Sequence, residues 1–330
     1  MSLHNRHSKI AVSLSEFELI KKYFTAFDSG EGVFLGVGDD CALIDIPSNK
    51  HLAITTDTQI ENVHFFKGTD PYLIGYKSLL VNTSDLAAMG SKPYCFTLSL
   101  TLPSAQEDFL SKFSQGLFTL AKKLNIPLIG GNTTKGELSI TISAYGLVDK
   151  GKALLRSKAK AGDSLYVTGT LGGPGLAVDC GYGKITVDKD MKETLIKKSM
   201  LIESRNDFAC AIVPYTTSAI DISDGLVGDL KHILEHSKVG CTLYIDKLPK
   251  ALEFEQLNLS EDYQNKLCLY GGGDYELLFT CPKENELSIS KLSYEYNVPI
   301  TKIGVINNDS LILLNHGRII HLNERSFEHF

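Results

Sequence analysis

What most constrains this chain is a set of aspartates placed at the ends of apolar runs. Gly36-Val37-Gly38-Asp39-Asp40-Cys41 puts two adjacent carboxylates on a turn that its glycines let bend. Asp57 follows the apolar run Leu52-Ala53-Ile54 within Thr55-Thr56-Asp57-Thr58. Neighbouring carboxylates repel by roughly 1 kcal/mol at about 4 Å in water, and by several times that where water is scarce. A fold gains little by gathering them unless a cation neutralises the charge. Oxygen donors of this hard kind suit Mg²⁺ or Ca²⁺ better than zinc. A polar surface turn accounts for the same residues equally well, so the rest of the chain must decide.

In chain order, Ser13-Leu14-Ser15-Glu16 is a capping-box pattern, and Phe17, Ile20, Tyr23 and Phe24 recur at helical spacing, which predicts a helix over 14–27. A strand is expected near 51–56. Asp70-Pro71 opens a helix that runs to Met89 and stops at Gly90. Within it Asp85 lies among Leu79, Leu80, Leu86 and Met89, surroundings in which a carboxylate needs a partner or a metal. Strands over 95–102, 126–129 and 138–148, with a helix from Ser104-x-x-Glu107 to Leu124, complete the first half. The strand at 126–129 runs into the polar Gly130-Gly131-Asn132-Thr133-Thr134. Polar clusters thus sit where strands end, a common place for ligands in mixed sheets.

Asp149-Lys150-Gly151-Lys152 is a polar turn and marks a boundary. A length of 330 residues suggests two domains, 1–150 and 151–330. Strands are expected at 164–168, 241–245, 275–281 and 298–306, with helices at 190–198, 204–212 and 284–296 and another running to Ser237. The fold class is α/β joined to α+β. A formal charge of −6 gives no footprint for nucleic acid, and no apolar run is long enough to span a membrane. The polar start Met1–Lys9 lacks the apolar stretch of a signal peptide. Seven cysteines are scattered without a C-x-x-C pair, which points to reduced thiols in a cytoplasm.

No P-loop is present, Gly36-x-Gly38 lacks the third glycine of a dinucleotide fingerprint, and the protein-kinase signatures are missing. If phosphates bind, divalent ions held by aspartates must carry them. The set is Asp40, Asp57, Asp85, Asp221 and Asp224, with Asp39 as a weaker member. Each has a bland alternative: Asp224 as a helix cap, Asp57 as a strand-end turn residue. His64 reads equally as a surface histidine, and Arg156 as a surface arginine able to reach phosphates. His232 and His236 lack the glutamate placement of a zinc helix and suit a solvated face.

The ordered set Gly-Val-Gly-Asp-Asp-Cys-Ala at 36–42, Thr-Thr-Asp-Thr at 55–58, Asn-Thr-Ser-Asp-Leu-Ala-Ala-Met-Gly at 82–90, Ile-Asp-Ile-Ser-Asp-Gly-Leu at 220–226 and Gly-Asp-Tyr-Glu-Leu at 273–277 resembles the thiamine-monophosphate kinase family over nearly the whole chain. The wider group includes aminoimidazole ribonucleotide synthetase, so the resemblance implies that two-domain architecture and a homodimer paired through the N-terminal domains. It implies Mg²⁺-dependent transfer of the ATP γ-phosphoryl to thiamine monophosphate, giving thiamine diphosphate and ADP. Carried over by position, Asp40, Thr55, Thr56, Asp57, Asp85, Asn132, Asp221 and Asp224 hold metal. Gly131, Asn132, Arg156 and Ser223 meet ATP, and His64, Gly273 and Phe327 meet the thiamine phosphate.

Two positions depart from the family pattern. Asn132 stands where the family has aspartate, which keeps an oxygen ligand but loses a charge. Gly272-Gly273-Asp274-Tyr275-Glu276 lacks the glutamate of the family's Gly-Gly-Glu-Asp-Tyr-Glu. Two other readings fit the same residues: a related ATP-using enzyme with another acceptor, or a non-catalytic protein that binds thiamine phosphate or nucleotide.

Overall fold

The computed structural model describes residues 15–27 and 29–320 of the chain. The first half runs α1 (Glu16–Tyr23), β1 (Val33–Leu35), β2 (Leu43–Ile44), β3 (Lys50–Ile60), α2 (Pro71–Ala88), β4 (Lys92–Leu102), α3 (Glu107–Lys123), β5 (Leu128–Lys135) and β6 (Ser139–Asp149). The second half runs β7 (Ser164–Thr168), α4 (Gly173–Gly181), α5 (Lys189–Met200), α6 (Asn206–Ile212), β8 (Ser218–Asp221), α7 (Leu226–Ser237) and β9 (Gly240–Tyr244). It continues with α8 (Glu253–Gln256), α9 (Glu261–Tyr270), β10 (Leu277–Cys281), α10 (Glu286–Glu295), β11 (Ile300–Asn307), β12 (Leu311–Asn315) and β13 (Arg318–Ile320).

β3, β6, β4 and β5 form a four-stranded sheet in that order, antiparallel except for the parallel β4–β5 pair. Strand alternation sends Phe96, Leu98, Leu100, Ile140, Ile142 and Ala144 into a core beneath α2 and α3, with Leu79, Phe113 and Leu117. The other face stays open, and Ile54 on it is 63% exposed. The second sheet has seven strands in the order β13-β12-β9-β11-β7-β10-β8 and is covered on both faces. One core gathers Leu165, Val167, Ile220 and Leu278, and the other Tyr166, Ala219, Leu277 and Phe279. Burial of both faces explains why Leu165-Tyr166-Val167 in β7 and Leu277-Leu278-Phe279 in β10 are apolar without alternation.

The element shared by both halves is α2. Asp70 caps it by accepting the Tyr72 N–H at 3.0 Å, and Pro71 fits the first turn, whose N–H would be unpaired in any case. Nearly every residue from Leu73 to Ala88 is buried, as expected of a helix apolar all round. Leu79, Leu80 and Leu86 join the first core, while Ala87 and Ala88 join the one built on Phe279. A methyl on Gly75 would lie 2.1 Å from the Phe113 carbonyl oxygen, and one on Gly116 1.9 Å from that of Tyr72. Glycines at this crossing therefore set how close α2 and α3 come.

The two-domain mixed α/β expectation holds, with several local corrections. The first helix ends at Tyr23, and β3 runs on to Ile60. The polar run after Ile129 is not a strand end, because β5 continues through Gly131, Asn132 and Thr133, paired with Leu98, Ser99 and Leu100. β10 starts at Leu277 rather than 275, since Tyr275 takes a left-handed φ of 49°. Helix α9 and the β12–β13 hairpin were not expected. The hairpin turns at His316 and Gly317, both with positive φ, where only the glycine advertises the turn. All seven cysteines are free, and among the described residues no helix is long and apolar enough to cross a membrane.

Candidate active site

Three elements bring carboxylates together: β3, α2 and the end of β8. Thr55 and Asp57 lie two apart on β3 and so share the face toward α2. Thr55 Oγ1 donates to Asp85 Oδ2, and the Asp57 N–H donates to Asn82 Oδ1 at 3.1 Å. The Asp57 and Asp85 carboxyls meet directly, and burial raises both above the usual carboxylate range. For Asp57 the Asp85 charge adds to burial, and the result is about 7. Asp57 Oδ2 is buried with no hydrogen-bond partner.

Asp221 closes β8 and is 5% exposed, with Oδ2 accepting the Ser84 hydroxyl at 2.7 Å. Burial, then the nearby Asp85 charge, push it up to about 8. The chain next turns through Ser223-Asp224-Gly225 into α7. There Asp229 Oδ2 accepts the N–H groups of Ser223 at 3.1 Å and Asp224 at 3.2 Å, which fixes that turn. Burial raises Asp229 to about 7, although these N–H groups and Arg156 work the other way. Arg156 is exposed, and its charge also favours the ionised form of Asp85.

The 271–276 loop forms the fourth wall. The Gly273 N–H donates to the Ser223 carbonyl and the Tyr275 N–H to the Ile222 carbonyl, each at 2.7 Å. Gly273 has a φ of +86°, a conformation in which a side chain is strained. Burial and then the charges of Asp221, Asp57, Asp85 and Asp224 drive the Tyr275 phenol strongly upward. Below this loop, buried Lys77 on α2 is pulled down to about 7 by burial, against the opposing charge of Asp274.

Other expected residues lie elsewhere. Asp40, Gly131 and Asn132 line a cleft of 760 Å³ with Tyr145, Thr97 and Phe24, at the β5 edge of the first sheet. Asn132 is level with Ser99, Thr141 and Thr58, so three strand spacings, about 14 Å, separate it from β3. Thr56 points to the open face, where its hydroxyl meets that of Ser143 at 2.8 Å, away from Thr55 and Asp57. His64 accepts the Ile60 N–H on Nδ1 at 3.0 Å and lines a cavity of 80 Å³ with Phe65, Phe66, Val178 and Tyr182. Phe327 lies outside the described residues.

Sequence reasoning gave no role to Asn82, Ser84, Asp229, Tyr275 or Lys77. Asn82 and Ser84 stood in the motif beside Asp85, and Tyr275 in the one beside Gly273. Asp229 carried only a weak signal, an acid in the first turn of a helix that follows Asp224.

Among the described residues no three His, Cys, Asp or Glu side chains form a ready metal shell. Mg²⁺ commonly uses one or two carboxylates and completes its octahedron with water and phosphate oxygens. The Asp57–Asp85 pair fits that demand: hard oxygen donors, one of them buried without a partner.

The AIR synthase related protein N-terminal domain model matches residues 38–148, and the C-terminal domain model matches residues 160–313. Thiamine-monophosphate kinase of Haemophilus influenzae is 41% identical over 97% of this chain and 99% of its own length. That of Escherichia coli K12 is 40% identical over 97% and 99%. The crystal structure of thiamine-monophosphate kinase from Stenotrophomonas maltophilia superposes with a TM-score of 0.81 at 36% identity, covering 88% of this chain and 93% of that one. AaThiL complexed with AMPPCP and TMP gives 0.74 at 29% identity, over 96% and 97%. On the matched domains and the near full-length identity, the chain belongs to the thiamine-monophosphate kinase family.

Proposed function

We propose that the chain, a kinase as its family is, passes the ATP γ-phosphoryl directly to the phosphate of thiamine monophosphate at the acidic cluster, giving thiamine diphosphate and ADP. The observation that carries the reading is the set of bonds that bring Asp57 on β3, Asp85 on α2 and Asp221 on β8 together, Thr55 to Asp85, the Asp57 N–H to Asn82 and Ser84 to Asp221, with burial raising all three carboxyls. AaThiL, complexed with AMPPCP and TMP, holds a nucleotide and an acceptor together, as such a site requires. Asp57, Asp85, Asp221 and Asp224 hold Mg²⁺, with Thr55 and Ser84 orienting two of them. Bound Mg²⁺ supplies positive charge that offsets the repulsion between two phosphates. Arg156 and Ser223 contact ATP phosphates, and Asp40, Gly131 and Asn132 form the further nucleotide contact at the β5 edge. His64, Gly273 and Phe327 face the thiamine phosphate. The acceptor oxygen is ionised at neutral pH, so these residues bind and align the reactants and none has to remove a proton.

The division of labour follows the halves 1–150 and 151–330, since α2 of the first meets β8 and the 271–276 loop of the second. Pairing of two copies is supported by the open sheet face, where Ile54 is 63% and Ile60 42% exposed. A cytoplasmic location accords with seven free cysteines. The test is ADP release with ATP and thiamine monophosphate, with and without Mg²⁺. Mg²⁺-dependent release that requires thiamine monophosphate is expected. Release only with another acceptor, or ligand-induced stabilisation without ADP, would reject the reading.

A further inference from the structure

We infer that Lys77 is a positioning residue for phosphoryl transfer: its buried ammonium holds the Gly273–Tyr275 turn, and with it the Tyr275 ring, against the turn after β8 that carries Asp221 and Asp224. The inference rests on the site proposed above.

A lysine is rarely buried without a partner, yet Lys77 is 7% exposed in the middle of α2. Its Nζ donates to two backbone carbonyls, Ser199 at 3.0 Å and Gly273 at 3.4 Å. The same nitrogen stands 4.1 Å from the centre of the Tyr275 ring, a cation–π distance. One side chain thus ties the last turn of α5, the glycine turn and an aromatic ring to the helix that carries Asn82, Ser84 and Asp85.

The Tyr275 backbone needs such a tie. A φ of 49° is a left-handed conformation that a tyrosine abandons unless its surroundings enforce it. The N–H bonds of Gly273 to Ser223 and of Tyr275 to Ile222 fix the turn from the β8 side. Lys77 fixes it from the α2 side and stands over the ring as well. Relaxation toward extended backbone would swing the ring away from Lys77 and loosen the turn from the Ile222 and Ser223 carbonyls that flank Asp221 and Asp224. Asp274, next in line, is buried by its own anchor, the Gly172 N–H at 3.0 Å.

The experiment compares Lys77→Met, Tyr275→Phe and the double variant. Lys77→Met is expected to lower kcat by about 10- to 100-fold, the usual cost of losing an outer-shell support, with KM for ATP within threefold of the parent. Tyr275→Phe keeps the ring and loses the hydroxyl, and is expected to lower kcat about tenfold. If Lys77 acts through Tyr275, the double variant matches Lys77→Met within about twofold, whereas independent roles multiply the losses. Multiplied losses overturn the inference. A second readout needs no catalysis: 3-fluorotyrosine at position 275, followed by ¹⁹F NMR during Mg²⁺ titration. A single resonance that moves with Mg²⁺ in the parent is expected to broaden and lose that response in Lys77→Met. An unchanged response overturns the inference even if the parent turns over a different acceptor. Lys77→Gln, which retains a donor for the Gly273 carbonyl, carries both tests if Lys77→Met does not fold.

Discussion

The two acidic regions of this chain are built in opposite ways. Asp57, Asp85 and Asp221 stand on a strand, a helix and a strand end, and hydroxyls of Thr55 and Ser84 orient two of them. Asp39 and Asp40 stand on the exposed loop between β1 and β2, where the Asp40 N–H folds back onto Asp39 Oδ1 at 2.8 Å. The same residue type therefore serves two physical purposes. In the first region burial raises the cost of every unneutralised charge, so the fold itself stores a demand for a cation. In the second, water already meets that demand, and geometry has to come from whatever binds.

The sharpest way to break this contrast is to remove one charge from each region. Asp85→Asn takes away the carboxylate that Thr55 orients and that faces Asp57. Turnover is expected to fall by roughly 10²–10³, the scale of losing one preorganised electrostatic group. Asp40→Asn, at an open loop, is expected to cost about tenfold, because solvent and Asp39 remain beside the ligand. Steady-state kinetics at saturating Mg²⁺ measures both, and equal losses would erase the distinction between the regions.

A second test uses protons. Asp229 and Asp221 are raised to about 7 and about 8, whereas the unfolded chain releases such protons near pH 4. Between those limits the folded state binds more protons than the unfolded one, so stability falls as pH rises and levels off above about 8. Mg²⁺ has to displace those protons, so its stabilising effect grows in the same window. Melting temperatures without metal are expected to drop from pH 5 to pH 8, with a Mg²⁺-induced increase larger at pH 8 than at pH 6. A flat metal-free profile would mean that these carboxylates are not held in the dry environment described here.

The contrast also governs what could be read from the residues. Helix α2 was legible because its cap, its proline and its stop at Gly90 are local signals, and because a carboxylate in an apolar helix is conspicuous. The carboxylate set was legible as a recurrence, aspartates at the ends of apolar runs. Its partition was not, because strand register decides it: alternation along β3 separates Thr56 from Thr55 and Asp57, and sheet order puts Asn132 three strands from Thr58. Tyr275 and Lys77 acquire each other only through long-range packing, and Asp229, though bonded to the nearby Ser223 and Asp224 N–H groups, carries only the weak mark of an acid in a helix's first turn. The β5 strand was cut short for a related reason, since glycines and polar residues at an edge look like a turn until the neighbouring strand is known.

Restoring a charge on the open side sharpens the comparison at smaller amplitude. Asn132 keeps an oxygen donor in the β5 cleft but no negative charge. Asn132→Asp is expected to lower the Mg²⁺ concentration for half-maximal turnover by a few-fold, since an exposed carboxylate gains only a modest Coulomb interaction. A Mg²⁺ titration of activity that does not move would remove Asn132 from the metal and nucleotide contacts.

The smallest effect tests the partition of β3 itself. Thr55 and Thr56 are neighbours of the same type in the same strand, and only their facing differs. Thr55→Val removes the donor to Asp85 Oδ2 and leaves that buried carboxylate less well held, so turnover is expected to fall about tenfold. Thr56→Val removes a hydroxyl that meets Ser143 on the open face. Within a single chain its loss is expected to change turnover by less than about twofold, as for a surface substitution remote from the reacting groups. A large loss at Thr56, with a normal melting temperature, would mean that the open face reaches the chemistry after all. Since Thr56 points away from its own cluster, that outcome would have to come through the open face, either from the β5 cleft of the same chain, where Thr97 lies beside Ser143, or from a second copy seated there. The smallest predicted number therefore decides whether the chemistry is confined to the covered face of β3.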